Sequence, residues 1–492
     1  MASQNRSYEK KKLLGQVYTP LHIVQKILTH CGFYNLSPAP ITILDPACGD
    51  GRFLVPIAEY LIQNSPADQL SERLGKIEGW DIDPEAIKSC RKNLDHLVAD
   101  LGLEIQWKLE ICDALKQRDS GRKFDLIVGN PPYIRIQHLP EEQRKYIQKE
   151  YSFCQSGSTD AFVAFFELAS ELLTENGHCG FITPNSYLTS ETGRALRSYF
   201  ECNQNLLLLT NFAHFSVFKG TSTYAAVTIF GKIKNDAFFF EQCRTSDFQY
   251  NGRNVSYSEL RENQPWHLAP EVSQEIAGER LGDICKISVG VTTLADPYYL
   301  FSIISKNDDL VYARNKNGME VYLEKAILKP IVKGSKLKTS QDPITEYILF
   351  PYKTDESGKQ RIIPQDELES KFPETFSYFL KVKPALDRRD NGKPNAVAWY
   401  AFGRSQSLDS SFGKKIIFSP MNLSPNFVLH ENEEATVYSG YFIKYDGDYE
   451  TLLTQLNSQR MADFIAVAGR DFQGGYKGYN KKAIENFVIT KD

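Results

Sequence analysis

Several features that mark other protein classes are absent from this sequence of 492 residues. No apolar run approaches the length that spans a bilayer, and the start, MASQNRSYEKKK, lacks the apolar stretch of a secretory signal. We therefore expect a cytoplasmic protein with no membrane attachment. Its nine cysteines form no C-x-x-C pair and have no nearby histidine at metal-ligand spacing. We expect reduced, buried thiols and no metal site.

An excess of positive charge is absent too, since the formal net charge is −4 at pH 7. This average does not exclude a polyanion partner, because binding depends on where the charges are placed. Basic side chains cluster three times in the second half of the chain, near Trp399, Tyr400, Tyr476 and Tyr479. The clusters are Lys329, Lys333, Lys336 and Lys338; Lys381, Lys383, Arg388 and Arg389; and Arg470, Lys477, Lys481 and Lys482. They permit a nucleic-acid groove, although solvated surface charge explains each cluster separately.

Short β-rich runs alternate with longer amphipathic stretches between about residues 40 and 234. Strands are predicted at 41–45, 77–81, 105–109, 124–129, 180–183, 206–211 and 225–231, and helices at 52–63, 84–101, 161–173 and 191–201. This alternation predicts an α/β fold with a mostly parallel, doubly wound sheet. The last two strands have no clear helix between them, so one antiparallel strand is expected to close the sheet.

The chain is too long for a single hydrophobic core, and its pattern changes near residue 245. Beyond that point strand-like fragments, prolines, glycines and aromatic residues mix irregularly. We therefore predict two domains, residues 1–244 and 245–492, of which the second is mixed α+β.

The segment ILDPACGDGRFL, residues 43–54, follows the plan of a nucleotide-binding loop. A strand that ends in Asp45 leads into a Gly49-x-Gly51 turn and then a helix, so the backbone can approach a ligand closely. The third glycine of the dinucleotide fingerprint is missing, since Phe53 and Leu54 follow. Ordinary strand-to-helix geometry therefore remains an alternative for this turn alone.

Three further predicted strands also end in polar residues. Asp81 ends the second strand, where a carboxylate can bind the hydroxyls of a ribose, and the N-cap role suits Asp83 before Pro84 better. Asp113 follows the third strand, and Asn130 follows the fourth in the segment VGNPPY. Carboxyl ends of parallel strands share the edge where open α/β sheets bind ligands. Together with Asp45 these positions predict a ligand site.

With these motifs the chain resembles S-adenosylmethionine-dependent DNA N6-adenine methyltransferases in the gamma arrangement, the enzymes of type II restriction-modification systems. The resemblance implies a Rossmann-like class I methyltransferase domain, with a cofactor motif at Gly15-Gln16-Val17-Tyr18-Thr19-Pro20 and Thr19 near the methionine carboxylate. The other implied cofactor-binding residues are Asp45, Pro46, Ala47, Cys48, Gly49, Gly51, Asp81, Ile82, Asp113, Ala114 and Asn130.

The resemblance also implies the residues of catalysis. Asn130, Pro131, Pro132 and Tyr133 match the catalytic tetrapeptide, and Phe218 matches the aromatic on the other side of the target base. Core packing is the alternative for Phe218. The second half, including ISVGVTTLADPYYLF, ILKPIVKGSKL and LLTQLNSQRMADFI, resembles the family's target recognition domain.

The implied substrate is an adenine that is flipped out of double-stranded DNA. Two acceptors, Asn130 Oδ1 and the Pro131 carbonyl, can face its amino group, so that charge which appears during transfer is stabilised. The simplest expectation is a monomer that methylates one strand per encounter. A separately encoded restriction endonuclease is compatible with this sequence as a further partner.

Other functions remain open at this point. The same tetrapeptide occurs in protein glutamine N5-methyltransferases and in some RNA methyltransferases, although the long region after residue 240 suits extended duplex contacts better. A non-catalytic DNA-binding subunit with a degenerate core is a further alternative, which the intact motifs disfavour. A bifunctional restriction enzyme is another, but no nuclease carboxylate–lysine cluster is evident.

Overall fold

The computed structural model describes residues 18–35, 39–155, 159–218, 223–260, 264–269, 277–470 and 472–490. Gly15, Gln16 and Val17 of the expected N-terminal motif lie outside these ranges, as do residues 219–222 after Phe218. The chain divides into two units, Met1–Ser273 and Gln274–Asp492. In the ranges given, no helix combines the length and apolarity needed to cross a membrane.

The first unit is built on one nine-stranded sheet. Its strands are β1 (Ile43–Asp45), β2 (Ile77–Asp81), β3 (Lys108–Ile111), β4 (Phe124–Gly129), β5 (Leu173–Pro184), β6 (Leu206–Asn211), β7 (Ala225–Phe230), β8 (Ala237–Cys243) and β9 (Tyr250–Ser256). The strand order is β3-β2-β1-β4-β5-β7-β6-β8-β9. Strands β1 to β6 and β8 share one direction, whereas β7 and β9 run against it. The expectation of an α/β fold with a mostly parallel sheet is confirmed.

The expectation of a single antiparallel strand that closes the sheet is wrong. Strand β7 lies inside the sheet between β5 and β6, and the sheet continues through β8 to β9. Phe238 and Phe240 of β8 are buried, and β9 pairs with β8 along its whole length. A boundary at residue 244 would separate these paired strands, and the units accordingly divide later, after Ser273.

Helices cover both faces of this sheet. They are α1 (Leu21–His30), α2 (Leu54–Asn64), α3 (Ala67–Leu74), α4 (Pro84–Val98), α5 (Glu141–Glu150), α6 (Phe162–Leu172) and α7 (Arg194–Asn203). Alternate residues of the buried strands point to opposite sides: Leu44 and Ile127 join the core under α6 and α7, while Ile43 and Leu126 join the core under α1, α2 and α4. The central strands of the sheet are therefore packed against helices on both faces.

The second unit contains two larger, mainly antiparallel sheets. Its strands are β10 (Glu279–Arg280), β11 (Cys285–Val289), β12 (Leu300–Lys306), β13 (Leu310–Asn315), β14 (Glu320–Glu324), β15 (Leu328–Lys333), β16 (Glu346–Leu349), β17 (Tyr352–Thr354), β18 (Gln360–Ile362), β19 (Lys415–Phe418), β20 (Met421–Asn422), β21 (Phe427–His430), β22 (Thr436–Tyr438), β23 (Tyr441–Tyr445), β24 (Lys477–Gly478) and β25 (Val488–Ile489). The larger sheets have the orders β14-β13-β12-β16-β15-β22 and β11-β23-β19-β21, and the pair β15–β22 is parallel. Its helices are α8 (Leu281–Ile284), α9 (Asp296–Tyr299), α10 (Gln365–Lys371), α11 (Pro373–Leu386), α12 (Tyr449–Leu456), α13 (Gln459–Ala468) and α14 (Lys481–Ile484).

Candidate functional site

Four neighbouring strands end at one edge of the first sheet. In the order β3-β2-β1-β4 their ends lead to Asp113, Asp81, Asp45 and Asn130, since Asp113 lies two residues after β3 and Asn130 directly follows β4. Asp45 pairs with Gly79 of β2, which lies two residues before Asp81 on the same strand. The structure therefore brings together the four polar residues that sequence reasoning singled out.

The glycine-containing loop after β1 folds against the end of β2. Gly49 and Gly51 have φ values of +56° and +93°, a region that favours glycine. The amide of Gly49 donates to Asp81 Oδ2 at 2.9 Å, and the amide of Cys48 donates to the Trp80 carbonyl at 2.9 Å. A Cβ on Gly51 would lie 3.0 Å from the Cys90 thiol. The loop therefore lies close to α4 because Gly51 has no side chain, whereas a Cβ on Gly49 would meet no atom of the described residues within 4 Å and its positive φ alone favours glycine.

Asp81 presents a carboxylate that the backbone orients. Its Oδ2 accepts from Gly49, and its Oδ1 accepts from the amide of Asp83 at 2.8 Å. Burial raises the pKa of Asp81, and these backbone hydrogen bonds oppose the rise. Each carboxylate oxygen has acceptor capacity for a second donor, so two hydroxyls of a ligand can still be bound. Asp83 caps α4 by accepting from the Glu85 amide at 3.2 Å, as its sequence position suggested.

Ile82, which follows Asp81, has 56% of its surface exposed, although it lies beside a buried strand. Tyr18 is 50% exposed, and the Arg52 guanidinium lies 4.7 Å from the centre of its ring. Apolar and aromatic surface is thus available near the carboxylate of Asp81 and the glycine loop, where a planar ring could pack.

Asp45 is fully buried and does not face solvent. Its Oδ1 accepts from the Ala47 amide at 3.0 Å, so the carboxylate closes the first turn of the loop across Pro46. Burial, with the nearby Asp81 charge, raises the pKa of Asp45 to about 8, against the hydrogen bond from Ala47. A Cβ on Gly129 would lie 2.8 Å from Asp45 Oδ1, so this side chain lies directly against the end of β4.

Asn130 is half-buried, and its amide is oriented by a residue far away in sequence. Asn130 Nδ2 donates to the hydroxyl of Thr19 at 3.1 Å. Thr19 is buried, and Pro20 after it begins α1 by accepting from the amides of Ile23 and Val24. The N-terminal motif and the tetrapeptide are therefore in direct contact.

Pro131 is buried and Pro132 is half-buried, so the rigid diproline leads the chain out of β4 to Tyr133. The Tyr133 hydroxyl donates to the Ile182 carbonyl at 3.4 Å, and burial raises its pKa. The rings of Tyr133 and Phe218 meet edge to face, with centroids 6.0 Å apart and planes at 64°. A base held between two parallel rings needs a separation of about 7 Å, so these rings would have to move apart to hold one.

Asp113 and Ala114 form the turn after β3. Asp113 Oδ1 accepts from the Leu115 amide at 3.1 Å, and Ala114 is buried. Asp113 Oδ2 accepts from the side-chain amide of Gln143 at 3.2 Å. Sequence reasoning missed Gln143 because α5 was not predicted. The signal available was the helix-forming run EEQRKYIQKE after Pro140, with two acidic residues in its first turn.

Comparison with known proteins relates this chain to restriction-modification enzymes. Residues 69–218 match the family model described as Eco57I restriction-modification methylase. The matched region runs from α3 to Phe218 and includes Asp81, Asp113 and the tetrapeptide, but it does not include Thr19 or Asp45.

Curated relatives extend the similarity over most of the chain. The "Type II restriction enzyme and methyltransferase RM.Eco57I" of Escherichia coli is 26% identical, covering 86% of this chain, which spans about half (51%) of that relative. "Type II methyltransferase M.BstVI" of Geobacillus stearothermophilus is 24% identical over 84% of this chain and 78% of its own length. "Type II methyltransferase M.HindII" of Haemophilus influenzae is 23% identical over 98% of this chain and 90% of its own length.

A solved structure supports the same relationship at the level of the fold. The Type IIL restriction-modification enzyme MmeI, in complex with DNA, superposes with a TM-score of 0.60 over 98% of this chain and 67% of its own, at 12% identity. The chain therefore has a fold found among restriction-modification methyltransferases, and its relatives in sequence are type II methyltransferases.

Proposed function

We propose that this relative of type II restriction-modification methyltransferases is a site-specific DNA methyltransferase of the gamma arrangement. It would transfer a methyl group from S-adenosylmethionine to N6 of adenine in duplex DNA. The observation that carries the proposal is the position of Asn130. Its amide lies at the end of β4, is oriented by Thr19, and shares an edge with the Asp81 carboxylate and the glycine loop.

The residues at this edge fit S-adenosylmethionine. Asp81 retains acceptor capacity for the two ribose hydroxyls, and the glycine loop leaves open space beside Gly49. Ile82 offers exposed apolar surface, and Asp113 offers a carboxylate to the adenine amino group. Tyr18 and Thr19 would lie at the methionine end. When bound, this cofactor supplies an electrophilic methyl group on a sulfonium.

The tetrapeptide would activate the acceptor nitrogen. The lone pair of an exocyclic amine is delocalised into the purine ring, so the nitrogen is a poor nucleophile. Asn130 Oδ1 and the Pro131 carbonyl would accept hydrogen bonds from its two N–H groups, which raises electron density on nitrogen and stabilises the charge that appears in transfer. The hydrogen bond to Thr19 would orient the amide oxygen and the diproline would fix the carbonyl oxygen, so positioning would supply much of the acceleration.

Duplex DNA is the proposed substrate, and the second unit its proposed recognition domain. The target amino group is inaccessible inside a duplex, so the base must be extruded. Tyr133 and Phe218 would then separate from their edge-to-face contact and stack on the two faces of the adenine. The MmeI structure was solved in complex with DNA, which supports a DNA substrate for a protein of this fold. A monomer, with a restriction endonuclease as a separate partner, is the simplest arrangement.

Substitution of Asn130 tests this function. Tritiated methyl transfer to duplex DNA, RNA and a protein extract is measured in parallel, with cofactor affinity measured by calorimetry. We expect transfer to duplex DNA only, a loss of at least about 100-fold in Asn130→Ala, and nearly unchanged cofactor affinity. Transfer to RNA or protein alone would replace the DNA assignment by one of the alternatives. Substantial activity of Asn130→Ala would remove the proposed catalytic role.

A further inference from the structure

Helix α5 holds the turn that follows β3. Three side chains from residues 143–151 converge on this turn, which spans Asp113 to Leu115. Gln143 Nε2 donates to Asp113 Oδ2 at 3.2 Å. The hydroxyls of Tyr146 and Tyr151 both donate to the Leu115 carbonyl, at 3.4 Å and 2.6 Å. The helix is thereby attached to the turn by side-chain hydrogen bonds.

Little apolar burial holds α5 in place, because Ile147 is its one fully buried residue. Glu141 and Lys145 on its outer face form an ion pair at 2.8 Å and are both well exposed. Gln143 is half-buried and points to the turn. Its amide therefore contributes a specific polar contact between α5 and the turn.

The consequence for Asp113 is a carboxylate fixed at both oxygens. Oδ1 accepts from the Leu115 amide and Oδ2 accepts from Gln143, so rotation about the side chain is restrained. Each oxygen still has acceptor capacity for a second donor. Because Gln143 is uncharged, it restrains the carboxylate without neutralising it. A donor approaching from the open edge of the sheet would meet an acceptor that is already oriented.

We propose that Gln143 is a positioning residue in the site for the cofactor's base. Gln143 holds the Asp113 carboxylate, and the held carboxylate selects a purine with an amino group at position 6. This inference rests on the proposed function. An adenine amino group would donate to the oriented carboxylate. A hypoxanthine base has a carbonyl oxygen at this position. That oxygen and the Asp113 carboxylate are both acceptors, so no hydrogen bond forms between them and affinity is lower.

Calorimetric titration with the cofactor product and one analogue of it tests the proposal without any turnover. The probes are S-adenosylhomocysteine and S-inosylhomocysteine, which differ at position 6 of the purine. The full chain should bind the adenosyl ligand more tightly. In Gln143→Ala we expect about a tenfold loss of affinity for the adenosyl ligand and an unchanged affinity for the inosyl ligand, so the preference shrinks.

Two further variants make the result decisive. Gln143→Met keeps the length of the side chain and its packing, and it should lose the preference as Gln143→Ala does, even if the alanine variant folds poorly. Lys145→Ala, on the exposed face of the same helix, should bind both ligands as the unchanged protein does. Equal loss of affinity for both ligands, or none, in Gln143→Met would overturn the positioning role alone. Failure of the unchanged protein to bind either ligand would overturn the proposed function as well.

Discussion

Asn130 donates a hydrogen bond from its side-chain amide to the hydroxyl of Thr19, across 111 positions of sequence. Since Nδ2 is directed to Thr19, the carbonyl oxygen of the same amide is directed away from it. In the proposed reaction that oxygen accepts from the target amino group. The N-terminal motif would then serve catalysis by setting the orientation of the amide, in addition to any contact with cofactor.

Removal of the Thr19 hydroxyl should slow methyl transfer. In Thr19→Val the side chain keeps its size but cannot accept from Asn130, so the amide loses the hydrogen bond that orients its Nδ2. We expect single-turnover methyl transfer to fall about tenfold. Thr19→Ser keeps the hydroxyl and should remain close to the unchanged protein. An unchanged rate in Thr19→Val would show that this hydrogen bond does not position Asn130.

Asp81→Ala should weaken cofactor binding. The variant removes both the proposed ribose contacts and the acceptor of the Gly49 amide, which holds the glycine loop. We expect the dissociation constant for S-adenosylhomocysteine to rise about 10- to 100-fold. Thermal melting without ligand serves as the control for folding. A correctly folded variant with unaltered affinity would refute the ribose assignment.

Gly129→Ala should destabilise the first unit. The added methyl would lie 2.8 Å from Asp45 Oδ1 in a buried place, so strand or side chain must shift. We expect the free energy of unfolding in urea to fall by about 1–3 kcal/mol. A double-mutant cycle with Asp45→Ala provides the control, because the clash disappears when the carboxylate is absent. Strict additivity of the two substitutions would contradict a direct contact.

Lys415 in the second unit should make stability depend on pH. Its ammonium group is fully buried, and burial, with the charge of Lys444, lowers its pKa to about 7. Its Nζ donates to the carbonyls of Gly413 and Ala435 at 2.6 and 2.9 Å, which a neutral amine can also do. The unfolded chain binds the proton more tightly, so stability rises with pH from about 7 to about 10 and is lower below 7.

Urea unfolding of Lys415→Met at several pH values between 7 and 9 checks this effect. The pH dependence in this window should be reduced by up to about 1.4 kcal/mol per pH unit. Lys414→Met, at the neighbouring exposed position paired with Glu431, should retain the slope of the unchanged protein. Equal slopes in Lys415→Met and the unchanged protein would mean that Lys415 stays charged in the folded state.

Sequence patterns predicted β1, β2 and β4 because these strands are short, buried and ended by polar residues or prolines. Strand β3 is partly exposed, and it begins at Lys108 and not at the predicted residue 105. The observed bounds of β2 and β4 equal the predicted ones, and the strand ends gave Asp81 and Asn130. Helix α5 was missed because it is polar and buries only Ile147, so no apolar periodicity marks it. The contact of Gln143 with Asp113 joins residues 30 positions apart and depends on the packing of that helix.

The pairing of β8 with β9 bears on any exchange of the second unit, the proposed recognition domain, between relatives. Strand β9 covers the whole outer edge of β8, from Ala237 opposite Ser256 to Cys243 opposite Tyr250. A splice joint at residue 244 would strip that cover and leave a hydrophobic strand, with Phe238 and Phe240, ready to pair with other molecules. A chimaera joined after Ser273 keeps β8 and β9 paired within their own sheet, so a second unit from a relative would be attached to an intact first unit.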